Sequence, residues 1–542
     1  MNIGEIAKIL GLISAVVALA EIARRTKLPY PTLMVVAGIL IGLVPGLPKV
    51  ELQPELVFLV FLPPILYSAA WNTWLQDFRR HLAPISLLAV GLVLLTCVAV
   101  AQVCVFIIPG MSWWHGFLLG AIVSPPDAAA ATAICQRLGV GRKIVTVLEG
   151  ESLVNDASGL MAYRVALVAI LQGSFSPVAA AGQLVFAAVG GVCIGLLAGV
   201  IISQVHKRVR DPIVTTAISL LAPYVAYLPA EAFHVSGVLA AVAAGLYVSK
   251  QSPILFSPQA RLQAVHVWEL LILLINGVLF VLIGLQLDSV LTALSNVYAP
   301  LQLLWYAGAV CTVVIVLRLA WVYPMSRVSR LLTPSPLRSP AASWQQLTVV
   351  GWTGMRGIVS LAAAMALPQF VVAGADPPIP FAFRDLIIFL TVSVIFATLV
   401  LQSLTLAPLI ARLGESVKDS VAHEELVARM ITSNAALSRL EKHSTAGPDA
   451  AVITRVRAEY FDRVEAATAH AAEGDEMKSD GSGAGMTFRR GRLRAEDAIR
   501  REAIAAERGA LIALRDAGEV SEDVFRRIEH DLDLDESRVS EI

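Results

Sequence analysis

Apolar residues fall in long runs through roughly the first 412 positions, and short polar or charged segments interrupt them at near-regular intervals. After Leu413 the pattern changes to dense charge at helical spacing. The apolar runs lie near 5–23, 31–47, 54–71, 82–108, 114–135, 145–171, 182–205, 213–229, 235–249, 267–286, 301–323, 345–367 and 385–411. Each approaches the ~20 residues needed to cross a bilayer core, which predicts thirteen membrane helices. The eighth and ninth are the weakest, because Pro223 and Pro229 crowd one and the other is short. The loops order the set. With the N-terminus outside, the inner loops hold sixteen Lys and Arg, while the outer loops hold only Lys49 and Arg384. That is the positive-inside bias, and it sets the N-terminus outside and the C-terminus in the cytoplasm.

Two of the runs carry residues hostile to a helix. The fifth contains Ser124-Pro125-Pro126-Asp127, and the twelfth contains Gly351-Trp352-Thr353-Gly354-Met355-Arg356-Gly357. A break frees backbone polar groups that lipid cannot satisfy, so it is tolerated where it lines a polar cavity. The two broken spans are seven positions apart, an odd number, so one runs inward and the other outward. This predicts an inverted repeat with crossed, discontinuous helices at Pro125, Pro126, Gly354 and Gly357.

Composition sharpens the class. Charged residues make up 15% of the chain and hydrophobic ones 56%, against about 25% charged in an ordinary soluble domain. The net charge of zero averages two unlike regions and identifies no partner; no nucleic-acid partner is expected. The five cysteines lie in or beside apolar runs without a CxxC spacing, and the nine histidines sit mostly at loop edges or in the tail. Neither set suggests a resident metal or cofactor. The first run, interrupted by Glu5, Lys8 and Glu21, reads as a retained helix rather than a signal peptide.

The few ionisable residues inside the spans are Asp127, Glu149, Glu151, Asp156, Arg164, Arg318 and Arg356. At 1.5 Å per residue, Asp127, Asp156 and Arg356 all reach roughly 16–20 Å into a core of about 30 Å. Three charges at one depth on separate helices point to a shared polar site. Ser152 and Asp156, four apart, share a helix face, with Glu151 and Asn155 beside it. Such oxygens suit a hard cation. Burial disfavours the bare carboxylate, and a proton or a cation relieves that cost, so the two become alternative occupants of Asp156. Arg356 is permanently charged and is expected to neutralise Glu151. Arg164 and Arg318 read as structural.

These residues resemble the monovalent cation:proton antiporters of the NhaP and sodium/hydrogen-exchanger branch. The likeness covers residues 1–412 and rests on Leu62-Pro63-Pro64-Ile65-Leu66-Tyr67, Ser124-Pro125-Pro126-Asp127, Glu149 to Asp156 and Gly354-Met355-Arg356-Gly357. It implies a homodimer, with core helices about 82–171 and 301–411 and dimerisation helices about 5–71 and 182–286. It implies that Asp156 binds the transported Na+ and the proton, helped by Asp127 and Ser152, and that Arg356 pairs with Glu151. Asn155 marks the branch that exchanges one for one, without net charge movement. Two features depart from the family. Pro126-Asp127-Ala128 stands where Thr-Asp-Pro is usual, and Ser68, Ala69 and Ala70 stand where an acidic residue is common. Both remove oxygen ligands and bear on which cation, Na+, Li+ or K+, is preferred.

Residues 413–542 read as a cytoplasmic helical tail, with helices near 418–443 and 450–472, a linker from Gly474 to Gly485, and an Arg/Glu-rich section from Phe488 to Ile528. The expectation is a non-enzymatic antiporter serving pH and Na+ homeostasis in a bacterial inner membrane. A channel or uniporter would use the same polar core without proton coupling. A membrane enzyme or sensor would need a catalytic constellation, and the sequence offers none.

Overall fold

The computed structural model describes residues 3–26, 30–42, 57–73, 75–173, 176–209, 211–295, 297–333, 342–371, 379–413, 418–442, 450–473 and 490–540. Apart from one two-residue antiparallel pair, Phe370–Val371 with Ile379–Pro380, their regular structure is helical. In chain order the principal helices are α1 (Ile3–Thr26), α2 (Tyr30–Gly42), α3 (Leu62–Asn72), α4 (Val93–Ile107), α5 (Trp113–Val123), α6 (Ala128–Arg137) and α7 (Arg142–Gln172). They continue as α8 (Pro177–His206), α9 (Pro212–Ala232), α10 (Gly237–Leu255), α11 (Pro258–Leu294), α12 (Pro300–Leu332), α13 (Trp344–Trp352), α14 (Ile358–Met365), α15 (Arg384–Ala397) and α16 (Ser403–Leu413). The tail adds α17 (Lys418–Leu440), α18 (Ala450–Glu473), α19 (Arg490–Ala517) and α20 (Glu522–Ser540).

Local sequence explains many of the boundaries. Pro177, Pro212, Pro258 and Pro300 each open a helix, where the missing N–H costs nothing and φ is already helical. Ser343 and Gln346 close a capping box at the start of α13. Gly173 ends α7 at φ 65°, in the left-handed region that glycine enters without a Cβ penalty.

Among the described residues, eight continuous helices are long and apolar enough to cross a membrane. They coincide with spans four, six to eleven and thirteen of the thirteen expected. The eighth span, despite Pro223 and Pro229, is one helix of 21 residues. The second and third are shorter pieces, Tyr30–Gly42 and Leu59–Asn72, and residues 43–56 lie outside the described set. The fifth and twelfth are divided into α5/α6 and α13/α14, at the positions where Pro and Gly predicted breaks.

The chain forms two compact units. The larger holds Met1–Val209, Ala217–Leu255 and His266–Ser416. At its centre α7 packs against α5, α6, α10 and both halves of the twelfth span. Three π-helical turns, Val57–Phe61, Leu87–Leu92 and Thr398–Gln402, widen its helices locally. The smaller unit holds the tail with Arg210–Thr216 and Phe256–Val265. Within it, Arg261 donates to Asp533 at 2.6 and 2.7 Å, and Arg508 donates to the same carboxylate at 2.9 Å. The expected linker from Gly474 to Gly485 falls outside the described residues.

Candidate functional site

The site is built where two helices stop. Pro125 and Pro126 follow the end of α5 at Val123, and the chain resumes helically only at Ala128. Asp127 is the N-cap of α6: its backbone is extended and its Oδ1 accepts the Ala129 N–H at 2.8 Å. In the other interrupted span, α13 ends at Trp352 and α14 begins after Gly357, whose backbone is also extended. The breaks touch. The Asp127 N–H donates to the Met355 carbonyl at 2.7 Å, and Pro126 and Arg356 form an isolated antiparallel bridge. Gly357 lies so near the Asp127 carboxylate that a Cβ there would overlap it.

Helix α7 runs past this junction and satisfies part of it. Asn155, fully buried, donates its Nδ2 to the Pro126 carbonyl at 2.9 Å. Ser152 Oγ accepts the Ala128 N–H at 3.4 Å. These contacts do what lipid cannot, because backbone groups released inside a membrane need protein partners. Asp156 follows directly. It is 8% exposed and makes no hydrogen bond or ion pair among the described residues. Asp127, Ser152, Asn155 and Asp156 therefore gather at one place, as the sequence suggested, but three of the four are already engaged at the break. Asp156 is the one of the four without such an engagement. No group of three or more His, Cys, Asp or Glu side chains converges among the described residues, so the oxygen set is two carboxylates with neutral neighbours.

One expected pairing is corrected. Glu151 does not bind Arg356; it is held by Arg318, which donates Nη1 and Nη2 at 2.5 and 2.8 Å. Both side chains are 1% exposed. Arg318 also donates Nε to the Val350 carbonyl at 3.3 Å, tying α12 to α7 and α13. Arg356, equally buried, donates Nη1 to the Gly354 carbonyl at 2.9 Å, while its Nε has no partner. Its backbone N–H donates to Thr398 Oγ1 at 3.0 Å. The two guanidinium groups are neighbours: a Cβ on Gly354 would meet Arg318 Cδ and Nε and Arg356 Nη1. Arg318 projects from the continuous helix α12, whereas Arg356 lies in the stretch between α13 and α14, where its Nη1 turns back to the Gly354 carbonyl. A residue count does not separate the two, because the helical rise stops applying at the break. Arg164, read as structural, pairs with Glu231 at 2.9 and 3.0 Å.

Fold and site together define a multi-pass helical membrane protein whose interrupted helices meet beside a buried, unpartnered carboxylate. The transmembrane sodium/hydrogen exchanger family matches residues 11–412, and the chain belongs to that family. An uncharacterised Na+/H+ exchanger of Mycobacterium tuberculosis is 34% identical over 540 residues, covering 97% of this chain and 95% of the relative. A sodium, potassium, lithium and rubidium/H+ antiporter of Bacillus subtilis is 33% identical over 413 residues, covering 72% of this chain and 59% of the relative. The sodium proton antiporter MjNhaP1 from Methanocaldococcus jannaschii superposes with a TM-score of 0.56 at 20% identity. That likeness covers 75% of this chain and 98% of the other, and it bears on fold alone.

Proposed function

We propose that the protein exchanges a monovalent cation for protons across the membrane, by alternating access, with Asp156 as the group at which the two compete. The observation that carries this is the contrast within α7: Glu151 is neutralised bidentately by Arg318, whereas Asp156 is buried without a partner. A buried carboxylate in that state is costly. It gains by taking either a proton or a desolvated cation, and occupancy by one excludes the other. Asp127 is beside it as a second carboxylate, and Ser152 adds a neutral oxygen. Arg356 places a fixed positive charge at the junction, which limits the site to a single positive occupant.

Na+ is the proposed cargo, with Li+ and K+ as competitors, in keeping with the names of the similar antiporters. Asn155 contributes an amide where a second carboxylate would add charge, and this supports electroneutral exchange. The inverted repeat, a homodimer, an N-terminus outside and a C-terminus in the cytoplasm of a bacterial cell belong to the same proposal. The opposed directions of the two broken spans support the repeat, the loop charge bias supports the orientation, and the homodimer follows from the family resemblance alone. The test is cation-driven collapse of a pH gradient in vesicles carrying the purified protein. Na+, Li+ and K+ are added separately at several pH values. Dissipation by at least one of them, with no current at matched ion and proton flux, is the expected result. Current without proton movement would instead make the protein a channel or uniporter.

A further inference from the structure

The beginning of α2 joins two helices that also carry unsatisfied polar groups. The Tyr30 hydroxyl accepts the Asn276 Nδ2 of α11 at 3.4 Å. Two residues on, Thr32 donates to the Leu399 carbonyl at 3.2 Å and to Ser403 Oγ at 3.3 Å. Leu399 belongs to the π-helical turn Thr398–Gln402, whose first side chain takes the Arg356 N–H.

Each of the two helices that α2 contacts here carries a buried amide with unpartnered atoms. Asn276 is 5% exposed and its Oδ1 has no partner; Gln402 is 1% exposed and neither end of its amide has one. Orphaned buried amides are expensive, and a π turn at such a place often marks function. Tyr30 is also within electrostatic reach of Asp127. The backbones of α2 and α11 meet tightly two turns further along, where Gly38 and Gly284 leave no room for a Cβ. That contact fixes Tyr30 and Asn276 in register.

We propose that Asn276, Gln402 and the Tyr30 hydroxyl form a neutral-oxygen site for a partly dehydrated monovalent cation. It lies on the side of the junction that loop charge assigns to the cytoplasm and hands the ion to Asp127 and Asp156. The site rests on the exchange reading above. Neutral oxygens hold such an ion only weakly, which suits a waiting position: the cation loses water in stages, and the carboxylates bind it last.

The experiment uses full-length protein in proteoliposomes and reads the cation dependence of exchange at fixed pH for Asn276→Leu, Gln402→Leu and Asn276→Asp. Removing an oxygen ligand should raise the apparent KM for the cation about fivefold or more in each Leu variant, with the maximal rate within about twofold. Asn276→Asp, which keeps an oxygen and adds a negative charge, should give a KM at or below that of the unsubstituted protein, and a KM raised as in the Leu variants would count against the site. Unchanged KM in both Leu variants, or a lower maximal rate at constant KM, would overturn the inference while leaving exchange intact. If Gln402→Leu does not fold, Asn276→Leu decides by the same readout. If the unsubstituted protein exchanges no cation, both this site and the exchange reading fall.

Discussion

Glu151 and Asp156 are carboxylates five residues apart on one helix, both almost wholly buried, and their surroundings are opposite. Glu151 is gripped on both oxygens by Arg318, which in turn reaches the Val350 carbonyl. Asp156 has no partner, although Ser152 and Asn155 on the same helix are occupied by the backbone of the neighbouring break. Burial alone therefore does not mark a functional charge. What distinguishes the two is whether the structure has already neutralised the group. One carboxylate ties three helices together, and the other is left without a neutralising partner, which is the property the proposed exchange at Asp156 uses.

The comparison breaks most sharply at Asp156. Asp156→Ala should reduce cation-driven pH-gradient collapse to the background leak. Folded yield and melting temperature should stay unchanged or rise, because an unpaired buried charge contributes no stability. A variant that unfolds, or that exchanges normally, would erase the distinction drawn between the two carboxylates.

Arg318→Met should do the reverse, leaving Glu151 buried and unpaired. Losing one partner of such a pair costs about 3–5 kcal/mol, which should appear as poor folded yield and a lower melting temperature in detergent. Adding Glu151→Leu to Arg318→Met should recover most of that loss, since a buried pair replaced by apolar groups is close to neutral. Recovery identifies the pair as a brace. Failure to recover would mean that Glu151 has a second duty at the ion site.

These two residues also show how far a sequence by itself carries a site. The breaks at Pro125-Pro126 and Gly354-Gly357 were legible because proline and glycine act locally, and Asp127, Asp156 and Arg356 aligned because their depth depends only on counting along a helix. The partner of Glu151 was not legible, because Arg318 and Arg356 both come beside Gly354 and only the path of the chain through the break decides which one reaches the carboxylate. The engagement of Asn155 and Ser152 was not legible at all. It depends on where the Pro126 carbonyl and the Ala128 N–H point once the helix stops, and a residue count does not carry that. Gln402 is one polar residue in the last apolar span, and only the unmet hydrogen bonds of its amide set it apart.

Arg356 sharpens the comparison further, because it is as buried as Arg318 but holds only the Gly354 carbonyl. Arg356→Met should cost about 1.5–3 kcal/mol, the range for one hydrogen bond to a charged group, and less than the loss from Arg318→Met in the same melting assay. Its larger effect should be on transport. Without the fixed positive charge the junction would admit a second positive occupant, so one-for-one exchange should become sensitive to membrane potential. An equal loss of stability in the two variants would restore Arg356 as a brace.

A third buried carboxylate, in the tail, tests the same logic outside the membrane at the smallest expected effect. Glu507 on α19 accepts hydrogen bonds from Ser433 of α17 at 3.2 Å and Tyr460 of α18 at 3.1 Å. Arg463 of α18 and Asp535 of α20 also act on it, with opposite signs. Burial outweighs these and raises its pKa above the ordinary value of 4.5. The folded tail therefore binds more protons than the unfolded chain in the window above pH 4.5. The contribution of Glu507 is complete below that value and is lost as pH rises through the raised pKa. Glu507→Gln keeps an oxygen for both hydroxyls and cannot ionise, so it should remove this decline. Amide hydrogen exchange along α18 and α19 in the full-length protein, followed from about pH 4.5 upward, reads the difference once the intrinsic pH dependence is subtracted. Protection in the variant should be flat where the unsubstituted tail loosens. If both loosen alike, the two hydroxyls and Arg463 already neutralise Glu507, and it belongs with Glu151 rather than with Asp156.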